Sequence, residues 1–338
     1  QNNIVVVICG SAASWMITNV VRDKGGLHNR ITRRIHLQPF NLFETEQFLK
    51  SRNVNLDRYQ VLQLYMAMGG IPHYLKEVEG GKTAAQNIDQ ICFSAQGLLR
   101  EEFLQLYPAL FDNAENHIRI IRALSATWQG MTRMDILAQT GLPDGGHATR
   151  TLEELASSGF ITSFYAFGKK KKELRYRLTD EYSLFYLKFI EEKRSEGAGV
   201  WEQLAQTQSW KSWSGYAFES ICLKHVPAIK KALGISGIYT EASAFYLKTS
   251  EFGHGIQIDL LIDRADHAIN IFEIKFHQSP FVLNKEQAND IRLKIAIFKS
   301  ATATTKQVFF TLLTTFPLTP NEHSLGAVDR ALDMDCLF

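Results

Sequence analysis

The sequence predicts an α/β multidomain protein, and three observations carry that prediction. A β-branched run, Ile4-Val5-Val6-Val7-Ile8, ends at Cys9-Gly10 as a fully buried parallel strand does. Helical periodicity follows from about residue 43. The last third then mixes helix with two strands joined by Asp266-His267, a tight hairpin signal. A chain of 338 residues is long enough for two or three domains. At 45% apolar and 21% charged residues, wholesale disorder and collagen-like or mucin-like repeats are excluded. The 37 basic and 35 acidic residues leave a formal charge of +2, so any basic surface must be local. Cys9, Cys92, Cys222 and Cys336 are far apart and form no Cys-x-x-Cys pair. That spacing argues against a disulfide scaffold and a zinc site, and favours a reducing cytoplasm. The longest apolar stretch falls far short of membrane-spanning length, and no signal-peptide pattern is present.

Taken in order, the strand at 4–9 needs neighbours on both sides, and the next extended segment, 34–39, is too short to build a sheet with it. The expectation is that earlier strands belong before residue 1 and that 1–42 is the C-terminal part of a larger parallel sheet. A short helix is expected at 14–22 and a turn at 23–26. Residues 43–112 read as a small helical domain with helices at 44–52, 56–68, 74–78, 83–93 and 95–107. Gly69-Gly70 stops the second helix and Ile71-Pro72 starts the third. Over 113–192, Ile118, Ile121 and Leu124 mark one helix, Ile136 and Leu137 a second, Leu152 and Leu155 a third. Two alternating stretches, 160–167 and 174–178, follow. Three helices and a hairpin with a basic tip are the order of a winged helix-turn-helix. An aromatic helix at 182–192 and a polar linker at 193–199 lead into the last unit, 200–338. There a helix at 216–231, strands at 256–264 and 268–276, a helix at 284–298 and a strand at 307–314 make an α/β unit. No internal repeat is found.

The sharpest chemistry is Asp259, Glu273 and Lys275. Glu273 and Lys275 lie two apart on one strand, so their side chains leave the same face, and the hairpin can bring Asp259 beside them. Neighbouring carboxylates repel, and a divalent cation with oxygen ligands relieves them. A lysine beside it can orient an attacking water or stabilise charge on a phosphate. Glu219, on the helix beginning near Tyr216, could add a third carboxylate. Ile271, Phe272, Ile274 and Phe276 imply a strand covered on both sides, where an idle charge pair is costly. Gln287 either lines the same site or is a solvated helical residue. Asp-x13-Glu-Ile-Lys after a helical Glu resembles the PD-(D/E)XK restriction-endonuclease-like fold. The resemblance implies Mg²⁺ held by Asp259 and Glu273, with Glu219, Asp259, Glu273 and Lys275 as catalytic residues of phosphodiester hydrolysis.

Lys169, Lys170, Lys171 and Lys172 with Arg175 and Arg177, opposed by Glu173, concentrate positive charge at the hairpin tip. On a wing these side chains would meet DNA phosphates, and His147, Thr149 and Arg150 could bring the third helix to a major groove. The alternative is a solvated tip and a unit that packs on other domains. Gly81-Lys82-Thr83 ends like a phosphate-binding loop, but the first glycine position is Lys76 and a helix precedes it, so it is rejected.

Other features are similar to the later part of an ATPase. Strand 4–9 ending in Gly10-Ser11, then Ser14-Trp15-Met16, resembles the sensor strand of AAA+ and STAND-type P-loop ATPases. Leu27-His28-Asn29-Arg30 fits the loop where relatives carry an arginine near nucleotide, and Gly69-Gly70-Ile71-Pro72-His73-Tyr74-Leu75 resembles their lid motif. Together with the winged helix and the Asp259 and Glu273-Ile274-Lys275 strands, the chain resembles the archaeal/bacterial predicted ATPase family. Its members join a P-loop ATPase to a winged helix and a restriction-endonuclease-like domain. The resemblance implies Ser11 and Arg30 as nucleotide-sensing residues, DNA as partner and self-association through the ATPase module. The phosphate-binding loop and its acidic strand are missing here, so ATP binding is implied only for a full-length parent. The competing expectation is a non-catalytic, nucleotide-regulated DNA- or protein-binding module with a relic nuclease fold.

Overall fold

The computed structural model describes residues 5–10, 32–168, 173–191, 199–249, 253 and 255–338. It is an α/β structure with a mixed five-stranded sheet and a small three-stranded antiparallel sheet. Two expectations for the N-terminal stretch fail. Residues 5–10 form no strand, and Val5, Val6 and Val7 are 77–83% exposed. Residues 34–39 likewise carry no ladder, with Ile35 and Leu37 exposed. A β-branched run states a demand for burial, but only hydrogen-bonded neighbours can meet it, and no described strand pairs with either segment. The helix expected at 14–22, the turn at 23–26, and Ser11 and Arg30 lie outside the described residues.

The helical expectations hold from residue 42. Helix α1, Leu42–Ser51, begins with a capping box in which Asn41 and Glu44 satisfy each other's backbone N–H. Helix α2, Arg58–Met68, is capped by Asp57 and stopped by Gly69 at φ 65. A Cβ on Gly70 would come within 1.8 Å of the Phe40 carbonyl oxygen, so only glycine lets the two backbones approach. Helix α3, Pro72–Leu75, has proline in its first turn. Helix α4, Ala84–Ile88, continues through a π-helical turn, Asp89–Phe93, before α5, Leu98–Leu110. The rejected phosphate-loop look-alike is a helix start: Thr83 caps α4 and Lys82 pairs with Glu79 at 2.6 Å.

Residues 114–178 fold as α6 (Ala114–Ser125), β1 (Met131–Thr132), α7 (Arg133–Thr140), α8 (Gly146–Ser157), β2 (Ile161–Phe164) and β3 (Arg175–Leu178). The sheet order is β1-β3-β2, with Met131 opposite Tyr176 and Thr162 opposite Arg177. Strand β1 is too short to leave a sequence pattern. Next, α9 (Glu181–Phe185) and a π-helical turn (Tyr186–Ile190) bury their aromatic rings. Phe185 and Phe189 pack edge-on against Trp201 and Trp213, which come from α10 (Val200–Leu204) and α11 (Gln208–Lys224). Helix α12 is Val226–Ala232. At the junction, His225 ties α11 to α1. Its Nδ1 stands 2.8 Å from the Ile221 carbonyl and its Nε2 accepts the Leu42 N–H. Burial holds this imidazole below its usual pKa, in the neutral form that this pairing needs.

The five-stranded sheet runs β10-β8-β6-β5-β4. Its strands are β4 (Thr240–Leu247), β5 (Ile256–Arg264), β6 (Ala268–Lys275), β8 (Gln307–Thr314) and β10 (Arg330–Asp333). A two-residue pair, β7 (Phe281–Val282) and β9 (Leu318–Thr319), stands apart. β4, β5 and β6 are antiparallel; β6, β8 and β10 are parallel, with helix α13 (Lys285–Thr302) making the crossover. Both faces are covered. Leu260, Ile262 and Phe272 join the large core shared with the helices, while Leu261, Ile271, Ile291 and Phe298 form a second core under α13. No described helix is long and apolar enough to cross a membrane.

Candidate functional site

The site grows out of the alternation on β6. Phe272 is buried in the large core, so Glu273 and Lys275 emerge on the opposite face with Ile271. The β5–β6 ladder ends at Leu260 opposite Phe272, and Asp259 follows just beyond it, near enough for the Glu273 charge to act on its carboxyl. β5 also carries an irregularity here. Ser243 pairs with Leu261 and Phe245 with Ile258, so Asp259 and Leu260 together face Ala244 alone. Such a bulge re-aims a side chain that a regular ladder would fix. Glu219 approaches from α11, which packs on β6.

The charges are interlocked. Lys275 Nζ lies 2.8 Å from one Glu273 oxygen, and Lys294 of α13 binds the other. Burial alone would raise the Glu273 carboxyl, but Lys294 and Lys275 outweigh it and hold it below the usual range. Burial lowers the Lys275 ammonium, yet Glu273, Asp259 and Glu219 more than compensate, keeping it charged. The Asp259 carboxyl is raised by burial and by Glu273, against the hydrogen bond donated by the Gln257 amide. Glu219 is pushed up to about 8, first by burial and then by the Asp259 charge; Arg177, 3.9 Å away, offsets only part. The Tyr246 hydroxyl is pushed up to about 12 by burial and the same carboxylates. Three acids thus share one region, and only one of them, Glu273, has its charge stabilised.

A divalent cation is a reasonable fit to this donor set at one level only. Among the described residues no group of three or more His, Cys, Asp or Glu side chains is disposed to hold a metal ion. Mg²⁺, which keeps several waters, needs only one or two carboxylates. Asp259 and Glu273 supply two that act on each other's charge, provided the lysines yield on Glu273. Glu219 would serve from the outer side.

The remaining expected site residues disperse. Arg150 on α8 is largely exposed, 3.8 Å from Glu154. Arg175 does not face outward as a phosphate contact would: its guanidinium donates to the Gly130 carbonyl at 2.7 Å, bracing β3 against the turn before β1. Lys169, Lys170, Lys171 and Lys172 lie outside the described residues. Gln287 does not line the site; it completes the capping box of α13 with Asn284. Two site residues escaped the sequence reading as site residues, Lys294 and Arg177. Lys294 had a signal: it lies three residues after Ile291 and four before Phe298, on the buried face of α13. Arg177 was read only as part of the basic hairpin tip, because nothing in its strand pattern says which helix β3 will meet. All four cysteines are free.

Comparison of the chain with family models, with characterised proteins and with solved structures finds no match. Its function is therefore read from the geometry.

Proposed function

We propose that the chain is the C-terminal portion of a STAND/AAA+-like ATPase whose last unit is a restriction-endonuclease-like, Mg²⁺-dependent nuclease acting on DNA, and whose middle unit is a winged helix-turn-helix. The observation that carries this reading is the mutual electrostatic influence of Asp259, Glu273 and Lys275 on neighbouring strands, beside a bulge, with Glu219 from a helix acted on by the same charges. The strand order, with a helix before β4 and a crossover helix after β6, supports the nuclease-like unit. The order α6-β1-α7-α8-β2-β3 supports the winged one.

In this reading Asp259 and Glu273 hold Mg²⁺, which when bound would polarise the phosphodiester and acidify a water. Lys275 stays protonated and orients the water or faces the leaving oxygen, a role for a fixed positive charge. Glu219, whose proton affinity is tuned near neutrality, holds the attacking water. Water oxygen bonds to phosphorus as the P–O ester bond breaks; the water gives up a proton and the leaving oxygen gains one.

The test is plasmid cleavage with Mg²⁺ or Mn²⁺. Glu273→Gln and Asp259→Asn should lower it by at least about 100-fold, equivalent to roughly 3 kcal/mol of barrier, with the melting temperature kept. Wild-type protein that cleaves no DNA form with either ion rejects catalysis. A second reading, a relic fold that binds DNA or protein without cutting, is favoured by one observation: both Glu273 oxygens are engaged by lysines. It expects no divalent ion to raise the melting temperature.

A further inference from the structure

Arg177 reaches the acidic site from another part of the chain. Its side chain, on β3, is 12% exposed, and Nη1 stands 3.9 Å from Glu219 Oε1, the outer limit of an ion pair. The guanidinium lies over the Phe164 ring at 5.1 Å, and its buried Nε has no hydrogen-bond partner. Arg175, two residues earlier, is by contrast satisfied by backbone carbonyls. A guanidinium presents five donors in a fixed fork, and a buried one left short of acceptors is matched to the oxygens of a carboxylate or phosphate.

The approach is held from several sides. The Phe167 N–H donates to the Ala244 carbonyl at 2.6 Å, and the Gln129 amide donates to Gln257 Oε1 at 2.9 Å. Trp128 stacks on Tyr216 at 4.7 Å between centroids. Ala244 is the residue facing the bulge that carries Asp259, and Gln257 is the residue hydrogen-bonded to Asp259. The hairpin and the turn before β1 are therefore fixed to the flanks of the site. Charge points the same way. Glu219, Asp259 and Glu273 are matched by Arg177, Lys275 and Lys294, so a bound divalent cation would leave a positive excess that an anion must balance. Lys275 and Lys294 already hold Glu273; the Arg177 Nε is the donor with nothing to hold.

We propose that Arg177 is a phosphate-binding residue of this site: the β2–β3 hairpin lends a guanidinium that takes a non-bridging oxygen of a nucleic-acid phosphodiester, making the site a composite of two units. The inference rests on the cation-dependent nuclease reading above.

The test measures binding of a short labelled DNA duplex to the whole chain in EDTA and in Ca²⁺. Wild type should bind more tightly in Ca²⁺, and Asp259→Asn should lose that gain. Arg177→Ala should weaken binding in Ca²⁺ by about tenfold or more and shrink the gain that Ca²⁺ brings over EDTA. Without DNA it should keep the wild-type rise in melting temperature on adding Mn²⁺, and Arg177→Lys should recover part of the lost affinity. Should Arg177→Ala fail to fold, Arg177→Met, which retains contact with Phe164, makes the same decision. Wild-type or tighter DNA binding by the variant in Ca²⁺ overturns the proposal, as does a variant that binds Mn²⁺ alone more strongly, which would make Arg177 a plug. A wild type indifferent to Ca²⁺ instead overturns the parent reading, and the inference with it.

Discussion

Two strands of this molecule carry charged residues two positions apart, and the pairs meet different fates. On β6, Glu273 and Lys275 sit in a strand covered on both faces, and each is the other's partner. On β3, in a three-stranded sheet, Arg175 is absorbed by a turn carbonyl while Arg177 leans into the neighbouring unit's carboxylates. The difference lies in what covers each strand. On β6 the charges are answered within the strand and by Lys294 of α13, although Lys275 stays 46% exposed. The small sheet leaves its charges free to answer something else.

The comparison can be sharpened by cutting into the covering itself. Phe272, buried between the carboxylate-bearing positions, should cost about 3–5 kcal/mol as Phe272→Ala. Tyr165→Ala, at an exposed position beside β2, should cost about 0.5 kcal/mol or less in the same denaturant titration. Equal costs would mean that the two sheets are equally covered.

A smaller effect comes from the unanswered acid. Because the folded-state pKa of Glu219 is raised to about 8, above the unfolded value near 4.3, the folded protein binds the extra proton between those limits. Its stability therefore falls as pH rises through that window. Glu219→Gln should stabilise the metal-free protein by roughly 1–3 kcal/mol at pH 8 and hardly at all at pH 4. Melting temperatures in EDTA at both pH values check this; a variant less stable than wild type at pH 8 would show that the ionised carboxylate is well paired.

The smallest effect belongs to the exposed side of α8. If α8 lies against DNA, Arg150→Ala should reduce the slope of log affinity against log salt by about one, uniformly across sequences. An unchanged slope assigns Arg150 to solvent.

The hairpin β5–β6 was legible because two alternating runs flank Asp266-His267, and His267 duly takes a positive φ of 62. Asp259, Glu273 and Lys275 were legible with it, since period-two spacing decides faces. Strand β4 was not: Glu241, Ala242, Ser243 and Ala244 have little strand character, and the segment is extended because β5 offers it a ladder. The reverse holds at 5–8, where strand character is strong and no ladder is offered. Arg177 shows the same limit at the site. A sequence displays the periodicity of each element, whereas the meeting of a hairpin with a distant helix depends on how whole units pack.

The contact between residue 167 and β4 has a further effect. β4 is an outermost strand, and its unpaired backbone groups would template the addition of another chain. The bridge of Ala166 to Ala244, with the Phe167 N–H, occupies part of that rim from within the molecule. Loss of the loop would therefore expose adhesive backbone, and should show itself as concentration-dependent aggregation before any loss of helix.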